Sequence, residues 1–125
     1  MTLLPGQAFF LTNQVVATSF TAPFTGLIPS CPATNVIVPG SNFVSSLIPL
    51  PGYIQTDLQY NPSNQDTVGI WNGSGFVFHT YFAITNGWSN QEPYLSVGEG
   101  CLLINSTTNT NFWIQTNLTV CPCNR

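Results

Sequence analysis

Few side chains in this sequence can move a proton or hold a metal. His79 is the one histidine, the carboxylates are Asp57, Asp66, Glu92 and Glu99, the cysteines are Cys31, Cys101, Cys121 and Cys123, and Arg125 is the one cationic side chain. Two carboxylates facing each other can cleave a glycosidic bond as acid and base. Here they sit on separate segments, and nothing in their spacing brings Asp57 or Asp66 to Glu92 or Glu99. His79 falls in an aromatic strand with no nucleophile beside it, and reads as a packed or rim histidine. Cys121-Pro122-Cys123 lacks the further ligands that a zinc site needs. The expectation is a protein that is not an enzyme, with no catalytic residues, no metal and no cofactor.

A different signal runs through the chain. Shifted by 92 positions, Leu3, Gly6, Leu11, Asn13, Thr18, Phe20 and Cys31 fall on Leu95, Gly98, Leu103, Asn105, Thr110, Phe112 and Cys123. Glycine falls on glycine and apolar on apolar, with Gln7 on Glu99, Phe10 on Leu102 and Ile28 on Val120 between them. This reads as an internal repeat. Residues 1–31 are then a partial repeat, the final third of a unit, and residues 32–125 a complete one. A fragment of a repeat cannot bury its apolar face alone, so it must lie against its own neighbour or another molecule.

Charged residues make up 4 % of the chain, against about 25 % in ordinary soluble domains, while 43 % are apolar. With no lysine and one arginine, nucleic acid is excluded as a partner, and so is a basic anchor to an acidic membrane. No apolar run is long enough to span a bilayer. A surface so poor in charge has little repulsion to hold copies apart. It suits a protein that packs against itself, or equally a low-charge secreted domain kept soluble by glycans. The N-terminus does not read as a signal peptide, so the expectation is either an export signal already removed or an excerpt of a longer chain.

The elements that must position these residues read as strands. Ala8 to Thr12, Val15 to Thr21, Asn35 to Val38 and Asn42 to Ile48 are short β runs cut by proline and glycine turns. The clearest hairpin is Thr67 to Phe82, with Asn72-Gly73-Ser74-Gly75 as its turn. Residues 49–65 read as loop, with one helical turn near Thr56 to Gln59. Gly100 to Asn105 and Asn111 to Val120 close the unit. On the last strand, Phe112, Ile114, Leu118 and Val120 share the face expected to pack, and Trp113, Gln115, Asn117 and Thr119 the face expected to meet solvent or a partner. No window carries a 3.6-residue apolar stripe, so the fold class is all-β, a sandwich or a partly open barrel.

Four cysteines without metal spacing point to an oxidising compartment, hence to an extracellular or cell-surface protein. Cys101 and Cys121 align with Phe9 and Pro29, so the second copy has both and the first neither, which suggests that they pair. Cys31 and Cys123 stand at equivalent positions and are candidates for a bond within the chain or between subunits. Asn72, Asn105 and Asn117 begin Asn-x-Ser/Thr sequons, candidate glycosylation sites or simply turn and edge polar residues. Trp71, Trp88 and Tyr94 have flat faces that match a pyranose ring, or serve as packing anchors.

The run Trp71-Asn72-Gly73-Ser74-Gly75-Phe76, with Tyr81, Gly87-Trp88, Glu92-Pro93, Leu95 and Val97-Gly98-Glu99-Gly100, preceded by Val44-Ser45-Ser46-Leu47-Ile48-Pro49, resembles β-rich units found in tandem in large exported, uncharacterised proteins of environmental bacteria. The resemblance spans roughly Val36 to Val120 and implies export and tandem organisation, with no activity. In those units aromatics follow the Gly-Glu-Gly, as Phe9 and Phe10 follow Gly6-Gln7-Ala8, whereas Cys101 and Leu102 stand there in this one, which fits a local disulfide in place of an aromatic plug. The expected function is an extracellular structural protein that self-assembles head to tail, as filament or surface layer, by β-strand addition. Phe9, Phe10, Leu11, Val16 and Phe20 are its donated apolar face, and its partners are copies of itself. The alternative is an adhesin or carbohydrate-binding module, with glycans as partners.

Overall fold

The computed structural model describes residues 2–14, 18, 19, 21–23 and 32–116. Nine strands form: β1 (Ala33–Ile37), β2 (Gly40–Ser45), β3 (Gly52–Tyr53), β4 (Thr67–Trp71), β5 (Phe76–Phe82), β6 (Gly87–Trp88), β7 (Tyr94–Leu95), β8 (Gly100–Asn105) and β9 (Asn111–Gln115). Among the described residues there is no helix, and the class is all-β as the sequence predicts. The main sheet has the order β2-β8-β4-β5-β6, flanked by the two-stranded pairs β1-β9 and β3-β7. All pairings are antiparallel and the sheets are open, which fits a sandwich and not a closed barrel.

The hairpin is where the sequence places it, with Trp71 opposite Phe76 and Thr67 opposite Thr80. Its tip is tied by Asn72 Oδ1, which accepts from the N–H groups of Ser74 and Gly75, both at 3.0 Å. Residues 54–58 form the expected turn, Leu58 N–H donating to the Tyr53 carbonyl.

Alternate residues of the strands meet in one core: Ile37, Val44, Ile54, Leu58, Tyr60, Val68, Leu95, Cys101, Leu103 and Trp113. Every one of them lies between residues 33 and 113, so the unit closes its interior without residues 1–31. The far side of the main sheet stays open and aromatic, with Phe43, Trp71 and Phe78 exposed.

The last strand corrects the sequence reading. Trp113 and Gln115 face the core, both at 0 % exposure, while Phe112 and Ile114 are 58 % and 48 % exposed. Trp113 has the largest apolar body, and its indole N–H finds the Leu58 carbonyl at 2.7 Å. Gln115 is buried because its amide is used at both ends, accepting from Leu47 N–H and donating to Ser46 Oγ. A satisfied amide is cheap to bury, and an exposed phenylalanine is common. The exposed Phe112 and Ile114 lie opposite Val36 and Thr34 of β1. Leu118 and Val120 lie outside the described residues.

Ala8 to Thr12 forms no strand of its own. The segment 2–14, hereafter the strap, makes a single bridge, Gln7 opposite Val44. The expected strand Val15 to Thr21 falls largely outside the described residues.

Candidate assembly surface

The strap begins with a tight turn over Leu4–Gln7. Gln7 N–H donates to the Leu4 carbonyl at 3.1 Å, and Gln7 Oε1 accepts from Leu4 N–H at 3.2 Å. The turn at Ser96–Glu99 repeats this atom for atom. Glu99 N–H donates to the Ser96 carbonyl at 3.1 Å, and Glu99 Oε2 accepts from Ser96 N–H at 2.8 Å. The glycines inside share the left-handed conformation, φ +79° at Gly6 and +76° at Gly98.

The two turns differ in what they touch. A Cβ at Gly98 would meet nothing within 4 Å, whereas one at Gly6 would overlap Asn35 Oδ1 and the Leu47 side chain. Gly6 is therefore wedged into a socket, and its lack of a side chain is what admits it. The socket has two further walls. Ser45 N–H donates to the Gly6 carbonyl at 2.8 Å, and Ala8 N–H donates to the Phe43 carbonyl at 3.3 Å. Asn35 is held from behind, its Nδ2 donating to the Ser45 carbonyl at 2.8 Å.

Beyond the socket the strap crosses the open face of the main sheet. Ala8 lies over Gly100, where a Cβ would come within 2.5 Å of the alanine methyl. Phe10 stands edge-on to Phe43, Trp71 and Phe76, with ring centroids 5.4–6.1 Å apart. Phe9, Phe10 and Leu11 nonetheless remain 40 %, 57 % and 57 % exposed. With Glu99 and Gly100 they border a cleft of about 310 Å³. The other two residues expected on this apolar face, Val16 and Phe20, lie outside the described residues.

The groups that could do chemistry are occupied elsewhere. Asp66 is fully buried and accepts from Tyr60 Oη, Ser63 N–H, Ser106 N–H and Ser106 Oγ, tying the loop before β4 to the one after β8. Glu92 accepts from the backbone N–H groups of Gln55 and Thr56, both at 2.7 Å, and from Thr56 Oγ1. Asp57 accepts from Tyr53 N–H at 2.8 Å. All four carboxylates thus brace backbone turns, a use of their lone pairs that sequence spacing did not reveal. His79 Nδ1 lies 3.1 and 2.9 Å from the carbonyl oxygens of Asn90 and Gln91. Carbonyls only accept, so that nitrogen carries the proton and the ring anchors a loop. Among the described residues, no three of His, Cys, Asp and Glu converge to hold a metal ion.

Cys101 is a free thiol on the core side of β8, in place of the expected bond to Cys121. Burial, with a smaller contribution from the Glu99 charge, pushes its pKa up to about 12. Cys31, Cys121 and Cys123 lie outside the described residues. Of the sequons, Asn72 is exposed at the hairpin tip, whereas Asn105 is 3 % exposed with its amide donating to the carbonyls of Ile37 and Asn109. A glycan cannot be carried at Asn105 in this fold, and Asn117 lies outside the described residues. The three aromatics singled out for stacking do not form one platform. Trp71 is on the main sheet, Trp88 is half-buried with its indole N–H on Gln55 Oε1, and Tyr94 stands against Tyr53 on the β3-β7 pair.

Comparison with protein-family models, with curated proteins and with solved structures finds no match to this chain.

Proposed function

We propose that this chain is an extracellular structural protein whose copies assemble head to tail, into a filament or surface layer, by β-strand addition. The observation that carries the reading is the strap. It repeats a turn of the unit, adds to the edge of β2 through one bridge, and leaves Phe10 and Leu11 more than half exposed beside an interior that is complete without it. An exposed apolar segment next to a sheet edge is what strand addition uses, and a heterologous contact that does not close on itself makes a filament. The low charge of the chain removes the repulsion that would oppose such stacking.

Negative-stain microscopy of the full chain, with and without reductant, tests this directly. Filaments are the expected result, and their survival in reductant would assign the contact to strands instead of disulfides. Deleting residues 1–31 should leave a folded monomer; polymers formed by that deletion variant would refute the role given to the strap.

The second reading, an adhesive or carbohydrate-binding module, has one observation in its favour. Trp71, 43 % exposed, and the carboxylate-bearing Glu99 border the same cleft. A flat ring and a carboxylate are the two groups that a sugar face and its hydroxyls require. Binding on a glycan array that is lost in Trp71→Ala, from a chain that stays monomeric, would favour this reading over assembly.

A further inference from the structure

We infer that residues 8–13 are a ready-made β8 for a second copy of this chain, built to enter the groove between that copy's β2 and β4. The inference deepens the assembly reading and rests on it, and it names the partner surface and the register.

Three features mark the segment as a β8 standing outside its sheet. The turn leading into it is the turn that leads into β8, with the same two hydrogen bonds and the same glycine conformation. The residue that ends it is also the same. Asn105 Nδ2 braces the loop after β8 by donating to the Asn109 carbonyl at 2.8 Å, and Asn13 Nδ2 donates to the Thr18 carbonyl at 2.6 Å. Between these ends the pattern matches the strand. Phe9, Leu11 and Asn13 stand where β8 has Cys101, Leu103 and Asn105, all three buried on the core side.

The seat of the strap on its own unit uses other positions. Gly6 and Ala8 bond to β2 through their backbone, and Phe10, the counterpart of the outward Leu102, packs on the open face. Leu11, the counterpart of the fully buried Leu103, is left 57 % exposed. One strap can thus hold its own unit by its turn and a second unit by its strand, which gives a heterologous, open-ended contact.

The groove it fits is defined by the pairings of β8. Leu103 lies between Asn42 of β2 and Val68 of β4, and Asn105 Nδ2 reaches the Ile37 carbonyl. Leu11 and Asn13 bring the same side chains to those places. In the free molecule the groove holds its own β8, so docking is an exchange in which equivalent contacts are lost and regained, the low-cost route of domain swapping.

The experiment uses the full chain and, as probe, a fragment of residues 32–94, which carries β1 to β6 and an empty groove. Sedimentation of labelled fragment mixed with full chain should give a one-to-one complex. Leu11→Asp should weaken capture at least about tenfold, because its carboxylate would enter a fully buried position. The melting temperature of that variant should not change. Leu4→Asp, a charge at an exposed leucine of the turn, should leave capture intact. Failure to capture the fragment, its precipitation with or without full chain, or capture indifferent to Leu11→Asp each overturns the inference. Filaments that persist in Leu11→Asp also overturn it and leave assembly to another surface. A full chain that captures the fragment but never forms filaments retires the filament reading and keeps the inference.

Discussion

Gly6 and Gly98 hold the same backbone conformation under different constraints. Both sit at φ near +80°, but only Gly6 has a wall, Asn35 and Leu47, where a side chain would go. Alanine at either position meets the left-handed penalty of roughly 1–2 kcal/mol. Gly98→Ala should therefore lower the unfolding free energy of the unit by about that amount in urea titration. Gly6→Ala should instead unseat the strap, and hydrogen exchange at the Ser45 amide, which donates to Gly6, should lose protection in this variant alone. Cys101 offers a second measurement at this scale. Its thiol is held neutral by burial up to about pH 12, while the unfolded chain ionises its cysteines near 8.5. Above pH about 8.5 the unfolded state binds fewer protons, so stability falls by up to about 1.4 kcal/mol per pH unit from this group. Burial and the hydrogen bond to Asp66 raise Tyr60 as well, which adds to the loss in the same direction. Replacing Cys101 with alanine should flatten the alkaline limb measured by urea unfolding; an unchanged slope would place the effect on Tyr60.

At the scale of elements, β9 decides how a strand chooses its buried face. Trp113→Ala should cost roughly 3–5 kcal/mol, the range for emptying a large aromatic site, whereas Phe112→Ala should stay within about 0.5 kcal/mol. Reversed values in chemical denaturation would restore the face read from the sequence. That reading weighed apolar side chains along the strand, and by that measure Phe112 and Ile114 outrank Gln115. The deciding partners, Leu47 N–H, Ser46 Oγ and the Leu58 carbonyl, come from loops more than fifty residues away in sequence, and no local pattern contains them. The β4-β5 hairpin was legible for the opposite reason. Its register is set inside the segment by Asn72 and its two glycines. The bracing role of Glu92 belongs with β9, since its partners Gln55 and Thr56 come from a distant loop. The strap stands between the two cases. Its kinship with the end of the unit was readable from glycine, leucine and asparagine at one fixed spacing, but its socket on Asn35 and Ser45 was not.

For the whole molecule the dominant property is the near absence of charge. Arg125 is the only full cation and the formal charge is −3, so contacts between copies can draw little on ion pairs. Assembly should hold or tighten in about 1 M salt, where exposed ion pairs are screened and apolar contact persists. Turbidity or sedimentation that falls as salt rises would show that charge attraction joins the copies. A complete interior, an open aromatic face and a strap seated by one bridge make a body with a rigid part and a transferable part. The β4-β5 tip belongs to the rigid part and meets nothing. Gly73 and Gly75 have open space around them, and the turn is closed by Asn72 alone. A short peptide epitope inserted between Gly73 and Ser74 would leave core and strap untouched. Decorated with gold-labelled antibody, it would turn each subunit into a mark on a ruler, and the spacing of the marks would give the axial repeat of the polymer.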